Sequence, residues 1–582
     1  MRNTLMLPGA PMLLIASLVG AAQAANYAIL PVVKPIASCA ALAGADVSKA
    51  AETAGAVKSA ESVDTEKGPF CKVVTEFAPE ILVTTYLPSE RWTQRYFQGR
   101  GGDNPTSTNG FGEAATCQPA LNGEFVYGLS NVRFTMVVGE RRGVQKDWTP
   151  DPQRILDYSY RGNHVANQVA RILMKAYYGQ GPRYAYFVGC SDGGRQGLME
   201  AQRYPGDFDA IGAGSPGIIS TGEESTFHLW KVQANQRADG TNILMPDKVK
   251  LLHDAVVAQC DTLSGVRDGV LQDPSACHFE PASMKCPAGP AETSSCFTAE
   301  EVTAIQKLYD GAHDDQGNYL LYGMPRGSEG LWNLPRTPTA EENSAPTHAM
   351  QLAYILSPQV MPELADYRKV TIDKMAFERA SVRSPMFDSA NTNLKAYAAR
   401  GGKLIVWHGL NDVLIPARVT MDYYDGVEKF MGARAVDGFL RAFYPPGVGH
   451  CGGGDGFTQL DILSALMAWT ELKQAPTRIT AGKVAAVRVP AGGARGGQPL
   501  VSRPYATPLP ELVAQRPLYP YPYIARYTGK GDPNDAAHYT RATRSAKPFP
   551  DHPYASKKLI GPDNQRVYEV LDGRIVERSA HP

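Results

Sequence analysis

The sequence predicts an α/β protein with a mostly parallel sheet, interrupted by a long insertion. Two short apolar runs, 184–188 and 403–407, are typical of buried strands. A stretch with apolar residues at helical spacing, 164–178, comes just before the first run. Strands that alternate with helices across 26–215 indicate a parallel sheet, because a parallel connection has to cross over the sheet.

Residues 216–385 have a different character, with four closely spaced cysteines, many prolines and little periodicity. We therefore predict that residues 25–215 and 386–540 form one α/β domain and that 216–385 are inserted into it and stapled by disulfides. Residues 541–582 are polar and proline-rich, and we expect them to wrap the surface or to be partly disordered.

The length and the charge balance of the chain limit the architectures and the classes of ligand to be expected. A chain of 582 residues is too long for one simple core. Its 58 basic and 58 acidic residues balance, which gives no electrostatic reason to expect binding to nucleic acid or to an anionic membrane. A small or neutral ligand is expected.

The N-terminus predicts export. Arg2 supplies positive charge, Leu5–Val19 is apolar and Ala22–Ala24 forms an A-x-A cleavage site, so residues 1–24 are a predicted signal peptide. A membrane anchor is the alternative, but the apolar run is short for a span. We expect a secreted or periplasmic protein that is free of the membrane after cleavage.

The string Gly189–Arg195 reads Gly-Cys-Ser-Asp-Gly-Gly-Arg and contains G-x-S-x-G. A predicted strand precedes it and a predicted helix follows, as a nucleophile elbow requires. This context predicts an α/β-hydrolase fold with Ser191 as the nucleophile. The N–H of Asp192 is expected to bind the oxyanion at the helix N-terminus. A glycine-rich turn without catalytic function is the alternative.

Two residues further along the chain complete a candidate triad. In this fold the acid and then the histidine follow the serine. Asp412 comes just after the apolar run 403–407, and His450 lies in a glycine-flanked loop. We predict that His450 moves the proton and that Asp412 orients the imidazole. A turn carboxylate and a structural histidine are the alternatives.

Cysteines stand directly beside two of these residues. Cys190 precedes Ser191 and Cys451 follows His450. Because a disulfide requires Cα atoms within about 7 Å, a bond between these cysteines would hold the nucleophile beside its base. Two unrelated buried thiols are the alternative.

With these residues identified, the chain resembles the tannase and feruloyl esterase family, which carries a Cys-Ser, Asp and His-Cys arrangement. Cys190–Ser191, Asp412 and His450–Cys451 match it. The resemblance implies hydrolysis of a small aromatic ester of feruloyl, galloyl or terephthaloyl type, with no redox cofactor. It also implies that the insertion is a lid domain over the acyl pocket.

The resemblance implies further residues. The glycine-rich segment 91–102 would supply a second oxyanion donor at the N–H of Gly101, with Gly102 or a plain turn as the alternatives. Tyr519 replaces the first cysteine of the family's C-terminal cystine, so we expect a looser C-terminal end. The chain has nine cysteines, and the resemblance implies four disulfides, which leave Cys117 unpaired. The implied disulfides are Cys39–Cys71, Cys190–Cys451, Cys260–Cys277 and Cys286–Cys296.

The resemblance also implies a structural calcium loop in the insertion, since alternating side-chain and backbone oxygens suit a hard cation. Ser264 stands where the family has an acidic ligand, which lowers the local negative charge. A polar turn is the alternative. The implied ligands are the carboxylates of Asp261 and Asp268, Ser264, and the carbonyls of Val266 and Val270.

Two other functions remain open at this level: a serine peptidase on the same fold, and a binding protein that retains the fold without catalysis. Trp332 could stack on an aromatic acyl group, although a tryptophan in the core of the insertion is the favoured interpretation.

Overall fold

The computed structural model describes most of the chain. The described residues are 26–100, 114, 116–132, 151–287, 294–332, 370–485, 504–508, 511–544 and 552–578. The predicted signal peptide therefore lies outside the described residues.

Within these ranges, nine strands form one sheet in the order β1-β2-β3-β5-β4-β6-β7-β10-β11. The strands in the described part of the chain are β1 Gly55–Thr65, β2 Gly68–Phe77, β3 Ile81–Pro88, β4 Arg95–Arg100, β5 Phe125–Ser130, β6 Tyr184–Cys190, β7 Ala210–Gly214, β8 Ala312–His313, β9 Tyr319–Leu321, β10 Lys403–Trp407, β11 Leu440–Phe443, β12 Ile479–Val484, β13 Leu512–Leu518, β14 Tyr523–Tyr527, β15 Tyr539–Thr543, β16 Tyr568–Leu571 and β17 Arg574–Glu577. Six neighbouring strands of this sheet, β5-β4-β6-β7-β10-β11, run parallel to one another. The predicted α/β fold is confirmed.

The alternation of strands and helices expected from residue 26 onward is wrong for the first strands. β1, β2 and β3 pair antiparallel in succession. Only two residues, 66 and 67, separate the paired ends of β1 and β2. A turn of this length has no room for a crossover helix, so the chain has to reverse directly.

Helices cover both faces of the parallel part of the sheet. In β6, Phe187 packs with the helix Gly162–Tyr178, whereas Tyr186 and Val188 pack with the helix Ile462–Leu472, because successive strand residues point to opposite faces. The α-helices are Gln118–Leu121, Pro152–Leu156, Gly162–Tyr178, Asp192–Arg203, Glu223–Ala234, Pro246–Cys260, Ala299–Asp310, Lys374–Ala380, Ser384–Phe387, Lys395–Ala399, Ala417–Met431, Ala433–Phe439, Ile462–Leu472 and Tyr554–Leu559.

Shorter helical turns connect these elements. A π-helical turn, Asp157–Arg161, leads into Gly162–Tyr178. Among the described helices we find none that combines the length and the apolar character needed to cross a bilayer. The 3₁₀ turns are Cys39–Gly44, Ser48–Ala50, Asp261–Ser264, Pro274–Ala276, Pro281–Met284, Glu329–Leu331 and Ala536–His538.

The insertion leaves and rejoins the sheet between two neighbouring strands, β7 and β10. Its two ends are fastened to each other where Asp388 accepts hydrogen bonds from Thr221 N at 2.9 Å and Thr221 Oγ1 at 2.6 Å. Arg195, on the helix that follows β6, also donates to the Phe387 carbonyl at 2.9 Å. Buried polar contacts therefore connect the base of the insertion to the sheet domain.

The C-terminal part is packed more closely than the sequence led us to expect. Arg516, on β13, is 1 % exposed and lies 4.4 Å from the rings of both Phe457 and Tyr539. Further on, Tyr160 Oη donates to the Tyr568 carbonyl at 3.0 Å. Aromatic and arginine side chains thus anchor this region, for which the sequence predicted the absence of a cystine, and the described residues 552–578 pack against the domain.

Candidate active site

Ser191 sits between the end of β6 and the start of the helix Asp192–Arg203. Its φ of 64° and ψ of −126° are rare for a residue with a side chain. Glycine is required nearby, since a Cβ on Gly194 would lie 2.2 Å from the Gly214 carbonyl oxygen. This sharp turn projects the Ser191 hydroxyl beyond the sheet, as in a nucleophile elbow.

His450 lies beside this hydroxyl although 259 residues separate the two in sequence. Its Nε2 is 2.8 Å from Ser191 Oγ. The adjacent Cys190 and Cys451 form a disulfide with Cα atoms 5.9 Å apart. This disulfide joins the residues next to Ser191 and His450 and so helps to keep the hydroxyl and the imidazole close together.

Asp412 is fully buried and contacts the far side of the imidazole, with Oδ2 2.7 Å from His450 Nδ1. Its Oδ1 accepts from the backbone N–H groups of Leu414 and Ile415 at 2.8 and 3.0 Å. Burial alone would raise the pKa of Asp412. The charge of His450 and hydrogen bonds from His408 and His450 outweigh burial and hold this pKa below its usual range.

A second histidine in this network was missed by the sequence analysis. His408 is fully buried, and its Nε2 is 3.0 Å from both Asp412 Oδ2 and the Ile415 carbonyl oxygen. Two acceptors at Nε2 require a proton there, and Nδ1 forms a hydrogen bond with Thr420 Oγ1 at 2.7 Å, as the acceptor when the ring is neutral. The available signal was its position directly after β10, at the same sheet edge as Asp412.

The oxyanion donors are described in part. Asp192 is the first residue of its helix, where N–H groups have no partner within the helix. Gly101 and Gly102 lie outside the described residues. The strand β4 ends at Arg100, which pairs with Gly189 on β6.

The structure contains the four cysteine pairs that the resemblance implied: Cys39–Cys71, Cys190–Cys451, Cys260–Cys277 and Cys286–Cys296. Cys117 is a buried free thiol 3.5 Å from Met467 Sδ. Burial raises the pKa of this thiol well above its usual value, which keeps it protonated and unreactive.

The predicted calcium ligands form one compact turn. Ser264 Oγ is 3.0 Å from the Asp261 carbonyl oxygen and 3.1 Å from that of Val266. Asp268 Oδ1 accepts from Val270 N at 3.2 Å, and its Oδ2 pairs with the buried guanidinium of Arg516 at 2.6 Å. These oxygens lie close together and are joined by hydrogen bonds within the turn, and Arg516 offsets part of their negative charge.

Trp332 belongs to the core of the insertion. It is 2 % exposed, its Nε1 donates to Ser328 Oγ at 2.9 Å and its ring meets Tyr309 edge-on at 5.5 Å. With these contacts Trp332 packs in the core of the insertion and is not placed to stack on an acyl group.

The arrangement supports nucleophilic acyl transfer. Ser191 Oγ has a base at hydrogen-bonding distance, the base has a buried carboxylate behind it, and helix N–H groups lie next to the nucleophile. These are the three parts that attack on a carbonyl carbon requires.

Comparison with known proteins gives a consistent result. The family model for tannase and feruloyl esterase matches residues 63–542. A mono(2-hydroxyethyl) terephthalate hydrolase from Piscinibacter sakaiensis is 29 % identical over 521 residues, which cover 80 % of this chain and 81 % of that protein.

Solved structures share the fold. Feruloyl esterase B from Aspergillus oryzae has a TM-score of 0.68 at 21 % identity, covering 87 % of this chain and all of the other. Tannin acyl hydrolase from Aspergillus niger has a TM-score of 0.61 at 17 % identity, covering 85 % and 91 %. These likenesses confirm the α/β-hydrolase architecture.

Proposed function

The chain belongs to the tannase and feruloyl esterase family, and on that premise we propose that it hydrolyses esters of aromatic carboxylic acids through an acyl-enzyme on Ser191. Membership makes it a carboxylic ester hydrolase. The observation that carries the proposed mechanism is the continuous chain of hydrogen bonds from Ser191 through His450 to Asp412.

Acylation begins when Ser191 Oγ attacks the ester carbonyl carbon and His450 Nε2 accepts the hydroxyl proton. The buried Asp412 stabilises the imidazolium that forms. The carbonyl oxygen becomes an oxyanion, which the N–H of Asp192 and, by resemblance, that of Gly101 would bind. The C–O bond then breaks, and the alcohol leaves with the proton from His450.

Deacylation repeats these steps with water. His450 takes a proton from a water molecule, and the resulting hydroxide attacks the acyl carbon. The bond between the acyl carbon and Ser191 Oγ then breaks, and His450 returns the proton to Ser191 Oγ. The acid is released and the enzyme is regenerated. No redox step is needed, because no atom changes oxidation state.

The aromatic acyl group is proposed from the family and from the terephthalate-ester hydrolase that the chain resembles. Export is proposed from residues 1–24 and from the four disulfides, which persist in oxidising compartments.

A panel of substrates tests the proposed function. Methyl ferulate, methyl gallate and mono(2-hydroxyethyl) terephthalate are incubated with the protein and with Ser191→Ala, alongside the matching anilides. We expect hydrolysis of at least one ester, negligible hydrolysis of the anilides and loss of nearly all turnover in the variant. Preferred cleavage of anilides would indicate a peptidase, and no hydrolysis at all would indicate a binding protein.

We also propose that the turn Asp261–Val270 holds a weak structural calcium ion. The carboxylates of Asp261 and Asp268, the Ser264 hydroxyl and two backbone carbonyls would ligate it. Ser264→Asp adds a charged oxygen ligand, so we expect tighter calcium binding in isothermal titration and a larger rise in melting temperature. Equal binding by the two proteins would contradict this site.

A further inference from the structure

A cavity of about 290 Å³ lies apart from the candidate active site. It is formed by three regions that are distant in sequence: the insertion, the start of the helix Ala417–Met431 and the end of β15. Ser191, Asp412 and His450 are not among its lining residues. The loop that carries Asp412 nevertheless borders it, since Leu410 and Pro416 both line the wall.

Three guanidinium groups line this cavity, which we call the arginine pocket: Arg326, Arg418 and Arg544. None of the described lining residues carries a carboxylate. Burial lowers the pKa of Arg418 to about 9. An anion inside the cavity would be attracted to all three side chains, and the carboxylates of Asp273 and Glu280, which pair with Arg544 and Arg326 outside the lining, offset part of this attraction.

The guanidinium groups are held in place by the surrounding protein. Arg326 Nε donates to the Phe279 carbonyl at 2.9 Å, and its guanidinium lies 4.5 Å from the Tyr309 ring. Arg418 lies 5.0 Å from the Tyr322 ring. Side chains fixed in this way lose little conformational freedom when a ligand binds.

Arg544 provides the most specific observation. Its side chain is 7 % exposed, and one guanidinium nitrogen donates to Asp273 at 2.9 Å. Its Nε is buried and has no hydrogen-bond acceptor among the described residues. Another guanidinium nitrogen of Arg544 donates to the weak acceptor Met421 Sδ at 3.6 Å, and Met421 lines the cavity, so a ligand oxygen there would be a stronger partner.

Backbone groups add to this preference. Pro416 and Ala417 line the cavity at the N-terminus of a 15-residue helix, and no side chain caps that end. The first N–H groups of a helix favour an anion. Leu410, Met324 and Met421 form an apolar part of the remaining wall, which also includes Ser275, His278 and Tyr309.

From this combination we infer that the arginine pocket binds a small carboxylate with an apolar body, at a site separate from the catalytic serine. The carboxylate lies among the guanidinium groups and the helix N-terminus, and the apolar body packs on leucine and methionine side chains. This inference does not depend on the proposed function, because binding requires no turnover. The aromatic acid released by the reaction and an aliphatic acid from the surroundings share this chemistry.

Calorimetric titration with benzoate tests the inference. The catalytic site is first blocked by phenylmethanesulfonyl fluoride, and Ser191→Ala is titrated in parallel in case Ser191 does not react. We expect one benzoate bound per chain in the blocked protein and no measurable binding of benzamide, the neutral isostere. Titration with hexanoate separates the two ligand sources: tighter binding of benzoate favours the aromatic acid, and the reverse order favours an aliphatic one.

Substitutions locate the binding. Arg326→Gln and Arg544→Gln are each expected to weaken benzoate binding about tenfold or more, because each removes a charge-assisted hydrogen bond. Arg526→Gln, at an exposed position outside the cavity, is the control and retains wild-type affinity. Arg326 is partly exposed, so Arg326→Gln should fold even if Arg544→Gln does not. The inference is overturned if benzoate does not bind, if benzamide binds equally well, or if the folded arginine variants bind benzoate normally. Absence of Ser191 labelling would instead count against the proposed function.

Discussion

Two buried carboxylates, Asp412 and Glu329, each contact a histidine, and of these two pairs only the first is arranged for catalysis. At the sheet edge, His450 has Asp412 on one ring nitrogen and the Ser191 hydroxyl on the other. In the insertion, His253 has Glu329 on one nitrogen, at 3.0 Å, and Asp455 on the other, at 3.5 Å.

The partners on the second nitrogen determine what each imidazole can do. Hydrogen bonds to Asp455 and Glu329 raise the pKa of His253 to about 9, so that this ring is charged at neutral pH and cannot act as a base. The ring of His450 faces one carboxylate and one hydroxyl, so it can take up a proton and return it. A buried carboxylate behind a histidine is therefore insufficient for a catalytic site.

Replacing the two carboxylates gives the largest expected contrast. Asp412→Asn keeps the shape but loses the charge that orients and stabilises the imidazolium, and we expect kcat to fall about 10⁴-fold. Glu329→Gln, the matched change in the insertion, should leave kcat within a few-fold while lowering the melting temperature. Steady-state kinetics on both variants measures this, and equal losses of kcat would remove the distinction between the two pairs.

Breaking one disulfide in each region should give the next largest contrast. In the chain-entropy model, Cys190–Cys451 stabilises by up to about 5 kcal/mol and Cys286–Cys296 by up to about 3 kcal/mol. The double alanine variant of the first pair should lose both stability and activity, whereas that of the second should lose stability only. Denaturant unfolding and kcat report the outcome; unchanged kinetics in the first variant would show that the bond does not hold the site.

His408 should have a smaller effect, as a positioning residue. His408→Leu removes a hydrogen bond to Asp412 and leaves that carboxylate less constrained, so we expect kcat to fall about tenfold with little change in KM. His408→Gln can still donate to Asp412 and should recover part of the loss. If Leu and Gln impair kcat equally, His408 acts only through packing.

The smallest expected effect is the pH dependence of the stability that His253 contributes. Because the pKa of His253 is raised on folding, its stabilising contribution is full below about pH 6.5 and is lost as the pH rises through about 9. Partial exposure reduces the contribution to about 1–2 kcal/mol. Thermal melts of wild type and His253→Gln at pH 6.5 and 9.5 should therefore differ most at the lower pH. A difference that is the same at both values would contradict a charged His253.

The sequence allowed much of the sheet-edge site to be proposed, because that site depends on short strings and a fixed order. The turn around Ser191 needs glycines at set positions, and the cysteines mark both loops. His408 was missed because its position directly after a predicted strand, although a signal, does not distinguish a buried histidine that contacts a carboxylate from one that does not.

The insertion was far less predictable. Its contacts join residues distant in sequence, as in the pair of His253 and Glu329, and they leave no periodic pattern. The same holds for the C-terminal region, where Arg516 contacts two aromatic rings and Asp268. The antiparallel order of the first three strands was missed because short turns, not strand composition, determine it.

Labelling with a fluorophosphonate tests the central claim most directly. The protein is reacted with the probe, digested and mapped by mass spectrometry while ester hydrolysis is followed. We predict one adduct per chain, on Ser191, with hydrolysis lost in proportion to labelling and no adduct in Ser191→Ala. Complete inactivation with the adduct on another residue, or full hydrolysis by Ser191→Ala, would contradict the assignment of Ser191 as the nucleophile.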